Sequence, residues 1–162
     1  MTLVSGPVAL KAPLQVRLVP VESAKEMFEA VTSLAGEQDA IIKAAAVADY
    51  RPRDVAAEKV KKADDAMSVA LERTDDILAW LGEHRREGQF LCGFSMETQD
   101  VLANSRKKLE KKQIDMIVAN DLRVDGAGFG TDTNVVTLIT KEQETALVKM
   151  GKEEVAHRIL DA

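Results

Sequence analysis

The sequence predicts an α/β fold, a mainly parallel sheet flanked by helices and closed by an antiparallel hairpin. Two observations carry this expectation. Short apolar stretches alternate along the chain with longer stretches of helical periodicity, the pattern of strands separated by crossover helices. Near the end that alternation gives way to two extended stretches separated by a few polar turn residues, the pattern of a hairpin. The 162 residues suit one domain with a sizeable core. Aromatic residues are only 4% of the chain, so that core must be aliphatic.

The elements follow in order. Thr2–Val4 reads as a strand ended by Ser5-Gly6-Pro7, and Leu14–Val19 as a second one that alternates apolar and polar residues. Ser23-Ala24-Lys25-Glu26 is a capping box. The helix behind it sets Met27, Ala30, Val31 and Leu34 on one face and stops at Gly36. Ala40–Val47 is apolar and rich in small residues, which suits a buried strand, and it breaks at Ala48-Asp49-Tyr50-Arg51-Pro52. Lys59, Lys61 and Lys62 follow as a basic knot, then Met67–Leu71 as a short strand.

Thr74 is read as an N-cap, with Asp75 and Asp76 in the first helical turn and Ile77, Leu78 and Leu81 on the buried face. Gln89–Phe94 is a further strand, ending at Ser95-Met96-Glu97-Thr98. Asp100–Lys112 is helical, with Leu102, Arg106 and Leu109 and a basic side of Arg106, Lys107, Lys108, Lys111 and Lys112. Asp115–Ala119 is a strand ending at Asn120-Asp121, and Gly126–Asn134 a glycine-rich loop. Val135–Thr140 and Thr145–Lys149 form the hairpin, and Glu153–Leu160 a terminal helix.

Composition excludes several classes. A net charge of −5 argues against broad nucleic-acid binding, which needs a basic face. No apolar run approaches the ~20 residues of a membrane span. The single cysteine, Cys92, can form no intramolecular disulfide and fits a reducing cytoplasm. It lies in an apolar run, as a core thiol does and a nucleophile does not. His84 and His157 lack metal-ligand spacing and read as surface residues. Gly126–Gly130 is no Walker loop, because no Gly-Lys-Ser/Thr follows.

What remains is a set of polar strand ends. Ala48-Asp49-Tyr50, Ser95-Met96-Glu97-Thr98 and Asn120-Asp121 would lie along one edge of a parallel sheet, where open α/β sheets bind ligands. Carboxylates there can bind a polar ligand directly or hold magnesium through water. Singly, each such end serves equally well as a cap or turn. The lysine knot suits a triphosphate, although a lone Lys-x-Lys-Lys is more often solvated surface. Lys108 and Lys112 are spaced i,i+4 and so project from one helix face.

The strings AAAVADYRP with EKVKK, then GFSMETQD, then IDMIVANDLRVDGAGFGTDTNVVTLIT closely resemble phosphopantothenoylcysteine synthetase. The resemblance covers Thr2 to about Leu160. It implies a CTP- and Mg²⁺-dependent ligase: CTP activates the carboxylate of 4′-phosphopantothenate as an acyl-cytidylate, and the amine of cysteine displaces CMP. It implies nucleotide-binding roles for Ala44, Ala45, Asp49, Asp75, Asp76, Ile77, Leu78, Phe94, Lys108, Lys112 and Asn120. Lys59 would be the lysine that forms the acyl-nucleotide. The Thr74-Asp75 pair departs from the family's Asn-Pro at that helix start.

The resemblance further implies one domain over residues 1–162, a homodimer formed through the glycine-rich arm and hairpin, and a flavin-dependent decarboxylase fused to or associated with it. The family's Ser-Asn-x-Ser-Ser-Gly-Lys-Met-Gly motif is not in this sequence, so the expectation is a fragment truncated before its first strand, with weak or no full ligase activity alone. The other expected class is a non-catalytic nucleotide-binding or dimerisation module.

Overall fold

The structure is a computed structural model and describes residues 1–61, 66–97, 100–121 and 130–162, with the backbone alone for Asp121. The chain divides into two compact units. Unit 1 holds Met1–Ser33 and Ala45–Ile77; unit 2 holds Leu34–Ala44 and Leu78–Ala162.

In unit 1, β1 (Thr2–Ser5) pairs in parallel with β2 (Arg17–Pro20). The second strand thus begins three residues later than its alternation predicts, where Arg17 N–H meets Met1 O. Helix α1 (Ala24–Ala35) follows, its last two residues belonging to unit 2. The predicted capping box is present. Glu26 N–H donates to Ser23 Oγ, and the Ser23 hydroxyl donates to Glu26 Oε1. The other carboxylate oxygen accepts the Glu22 N–H, one residue before the cap. Helix α1 ends directly before Gly36, as read from the sequence.

Strand β3 (Ala40–Lys43) is the apolar stretch that follows, and it is shorter than the run Ala40–Val47. Its ladder extends only over Phe90–Gly93 of the neighbouring strand. Back in unit 1, β4 (Tyr50–Pro52) and β5 (Leu71–Arg73) form an antiparallel ribbon. Arg51 and Glu72 are cross-strand partners and an ion pair at 2.7 Å. The ribbon displaces the strand expected at Met67–Leu71. It also takes Thr74 out of its expected N-cap role: the Thr74 hydroxyl donates to Ala48 O and its N–H to Asp49 O. Helix α2 (Ile77–His84) therefore starts after Asp75 and Asp76, which precede its first turn.

Unit 2 is built on a five-stranded sheet of order β10-β9-β7-β6-β3. Strands β6 (Phe90–Glu97) and β7 (Met116–Asp121) are central and parallel, and β3 joins β6 in parallel. A two-residue strand β8 (Thr133–Asn134) precedes β9 (Val136–Thr140), which runs antiparallel to β7. Strand β10 (Glu144–Ala146) completes the predicted hairpin with β9. β11 (Met150–Gly151) pairs with β8 and leads into α4 (Lys152–Asp161).

Alternation of side chains along the strands assigns the two faces. On one face Cys92, Met116, Val118, Val136 and Leu138 pack with Val155 and Ile159 of α4. On the other, Gly93 lies against Leu78 of α2, and Ser95 meets Ser105 of α3 (Val101–Lys111). Burial of these aliphatic side chains supplies about 25 cal/mol per Å². The inward face of α3 is Val101, Ser105 and Leu109, and Leu102 is exposed. Ile77, Leu78 and Leu81 are buried as predicted. Among the described residues, no helix is long and apolar enough to cross a membrane.

Candidate nucleotide site

The C-terminal ends of β6 and β7 are in register. Ser95 lies beside Ala119, Met96 beside Asn120 and Glu97 beside Asp121. Two of the three predicted polar strand ends are thus neighbours on one sheet edge. β6 also runs three residues beyond Phe94, so Ser95, Met96 and Glu97 belong to the strand and not to a loop after it.

The two sheet faces carry different chemistry at this edge. On the α3 face, Ser95 and Ser105 share a buried hydroxyl–hydroxyl hydrogen bond of 2.7 Å. Two residues after Ser95, Glu97 Oε1 stands 2.6 Å from Nζ of Lys108, one turn after Ser105. The contact is ionic in distance, but its angles are not those of a hydrogen bond, and Oε1 is shut off from solvent. On the α4 face, Phe94 is half-buried against the core and Asn120 is buried, with its Oδ1 unpartnered among the described residues. A buried carbonyl oxygen without a donor is costly, so Asn120 is a ready acceptor for a ligand amine or a water.

Lys112 is the C-cap of α3, its N–H donating to Lys108 O. It is half-buried, and its carbonyl abuts Gly82 of α2. Ala44 follows β3 and is exposed. In unit 1, Ala45, Asp49, Lys59, Asp75 and Asp76 are all exposed. The Asp49 backbone is tied to Thr74, which fixes the chain there while its carboxylate faces outward. Ile77 and Leu78 are 2% and 4% exposed, so a ligand could meet their backbone but not their side chains. Lys62, Thr98 and the stretch 122–129, which contains Gly126–Phe129 of the glycine-rich loop, lie outside the described residues.

Cys92 is buried, and burial pushes its thiol up to about 12, so it is no nucleophile at neutral pH. His84 and His157 are exposed, as expected. No group of three or more Asp, Glu, His or Cys side chains suited to a metal occurs among the described residues. Sequence reasoning singled out neither Ser105 nor the Glu97–Lys108 contact. The available signal was the pairing of Ser95-x-Glu97 on a strand with Ser105-x-x-Lys108 on the helix after it.

The family described as DNA/pantothenate metabolism flavoprotein C-terminal domain matches residues 1–162. This chain belongs to that family. A domain of this family occurs in the coenzyme A biosynthesis bifunctional protein CoaBC of Bacillus subtilis, 48% identical over 98% of this chain and 39% of that protein. The corresponding protein of Vibrio vulnificus is 42% identical over 98% of the chain and 40% of its own length. The chain thus spans well under half the length of the curated relatives it matches, and the match is to their C-terminal part. Among solved structures, the C-terminal domain of a CoaBC protein superposes with a TM-score of 0.80 at 47% identity, over 99% of this chain and 72% of that one. A Streptococcus pneumoniae member of the flavoprotein family gives 0.81 at 21% identity, over 99% and 78%, and shares the fold.

Proposed function

We propose that this chain carries the nucleotide-binding part of a CTP-dependent ligase joining 4′-phosphopantothenate to cysteine in coenzyme A biosynthesis. The observation that carries this reading is the polar edge of β6 and β7. It sets a buried, unpartnered acceptor, Asn120 at the end of β7, near Glu97 at the end of β6, which meets Lys108 of the following helix. An acceptor with no partner suits an exocyclic amine, and a lysine cation suits a phosphate. The bifunctional relatives named for coenzyme A biosynthesis support a reaction of that pathway.

The reaction has two transfers. A carboxylate oxygen of phosphopantothenate attacks the α-phosphorus of CTP, and pyrophosphate leaves. The cysteine nitrogen then attacks the acyl carbon, loses its proton, and CMP leaves. Lys59 would stabilise the charge that develops in the first transfer, which is where fixed cations contribute most. In unit 1, Ala45, Asp49 and the backbone around Asp75–Ile77 are each read as nucleoside contacts; in unit 2, Ala44, Leu78 and Phe94 are read as nucleoside contacts and Lys108 and Lys112 as phosphate contacts. Mg²⁺ travels on nucleotide phosphates with its waters and takes only one or two carboxylates from a protein. Glu97, at the end of β6, fits that limited role, and magnesium there would neutralise phosphate charge.

The whole enzyme is read as a homodimer in the cytoplasm, with a flavin-dependent decarboxylase fused or associated. The exposed edge strand β10 is a surface on which a second copy could pair. Calorimetry with CTP and Mg²⁺ tests the nucleotide reading. Saturable binding that is lost in Lys59→Ala supports it; an absence of binding to the parent chain leaves a dimerisation module and overturns it.

A further inference from the structure

The Glu97–Lys108 contact is unusual for a nucleotide site, because it sets an acid against a cation that phosphates would need. It is not a passing surface pair. Glu97 is 18% exposed in its side chain, and its Oε1 is closed to solvent with no aligned donor among the described residues. The contact is held in place from below. Ser95 precedes Glu97 by two residues on the same strand face, and Ser105 precedes Lys108 by one helical turn. Their buried hydrogen bond fixes α3 on β6, and the Lys108 side chain reaches back toward the helix start to meet Glu97.

We infer that Glu97 is an electrostatic gate on Lys108 that makes triphosphate binding depend on a divalent cation. This rests on the nucleotide reading given above. Without a cation, a triphosphate has to take Lys108 from Glu97 and leave a carboxylate facing phosphate oxygens. Both changes oppose binding, and the second is a like-charge contact in a partly buried setting, where screening is weak. With magnesium on the phosphates, the released carboxylate gains a cation in place of the lysine. The exchange of Lys108 for a metal then leaves no charge unpaired. Glu97 thus acts as a positioning and specificity residue: it rejects the free polyanion and accepts its metal complex.

Titration calorimetry of this chain with CTP, in EDTA and in magnesium, tests the gate in the parent and in Glu97→Gln, which keeps the shape and removes the charge. The parent is expected to bind the metal-free nucleotide at least about tenfold more weakly than the magnesium form. Glu97→Gln is expected to strengthen metal-free binding by about tenfold without strengthening the magnesium form, which loses its carboxylate, so that the difference between the two conditions disappears. In a Lys108→Met background, the gain from Glu97→Gln is expected to shrink but not vanish, because no lysine remains to be released while the like-charge contact is still relieved. Glu97→Asp, which keeps the charge on a shorter arm, checks the result should the glutamine variant unfold, and is expected to give a partial gain. An unchanged metal-free affinity in both Glu97 variants overturns the gate, as does a full gain without Lys108. Those outcomes are distinct from failure of the nucleotide reading, in which neither the parent nor any variant binds CTP in either condition, and the gate falls with it.

Discussion

Ser95 of β6 and Ser105 of α3 hold their hydroxyl groups 2.7 Å apart in the interior, with Ser105 fully buried. Either hydroxyl is left without its partner if the other is removed. Ser105→Ala is therefore expected to cost about 1–3 kcal/mol, the penalty of an unsatisfied buried hydroxyl plus a small void. The double change to alanine at both sites is expected to cost less than the sum of the singles, because it leaves no orphan. Urea denaturation of the four species measures this. Additive losses would show that the two hydroxyls do not act as a pair.

Helix α2 approaches the end of α3 through Gly82. A Cβ there would stand 1.8 Å from the carbonyl oxygen of Lys112. Alanine normally stabilises a helix interior relative to glycine by about 1 kcal/mol. Here the sign reverses, since backbone cannot yield as a side chain does, and Gly82→Ala is expected to destabilise by about 3 kcal/mol. Gly93→Ala makes a useful contrast. Its nearest obstacles are side-chain ends, Leu78 Cδ2 at 2.4 Å and Ile114 Cδ1 at 3.3 Å. These can rotate at lower cost, so a loss nearer 1 kcal/mol is expected. Thermal melts of both variants decide the order, and equal losses would refute the distinction.

How far the fold could be read ahead depended on whether an element was specified locally. The capping box of α1 and the buried Ile77, Leu78 and Leu81 depend on residues within a few positions of one another, and they appear as read. Elements whose limits depend on a partner were misjudged. Ala40–Val47 is apolar apart from Lys43, and β3 stops at that lysine, where its ladder with β6 stops. Thr74 has every local property of an N-cap, but its hydroxyl is taken by Ala48, far away in sequence. At the site, the polar ends of β6 and β7 were visible as strings. That Glu97 would meet Lys108 was not, because it depends on how Ser105 seats the helix. The inward stripe of α3 likewise runs through a serine, which apolar periodicity does not single out.

The Glu26 carboxylate is the titrating part of the α1 cap. The Glu22 N–H, and then the Ser23 hydroxyl, hold its pKa below the ordinary carboxylate value. A lowered folded-state pKa means that the group contributes stability above its unfolded pKa and loses it as pH falls through the folded value. The start of α1 is therefore expected to be fully capped at neutral pH and to fray in acid, as pH falls through the lowered folded-state value. Carboxylate-detected NMR titration of Glu26, together with the exchange rate of the Glu22 amide, follows both events. Glu26→Gln should flatten the pH dependence at that amide, and an unaltered titration of the amide in this variant would assign the effect elsewhere.

Helix α3 ends in a Schellman motif whose critical position holds the wrong residue for it. Ile114 N–H donates to Leu109 O, and Gln113 N–H to Glu110 O. The two apolar residues that usually accompany the motif, Leu109 and Ile114, are both fully buried. Gln113 sits between them with φ of 51°, a left-handed conformation that a side chain disfavours. Glycine adopts it freely, although it also gives the unfolded chain more freedom, which offsets part of the gain. Gln113→Gly is thus expected to stabilise the chain by about 0.5–1 kcal/mol, against the usual tendency of glycine to destabilise. Gln113→Val, with a branched Cβ in the same conformation, is expected to lose at least about 1 kcal/mol. Because Gln113 directly follows Lys112, CTP titration of the glycine variant is informative as well. Its affinity should stay within about twofold of the parent, since the geometry of the cap is retained and only its strain is relieved. A glycine variant that melts below the parent would show that the side chain of Gln113, and not the helix end, sets stability at this corner.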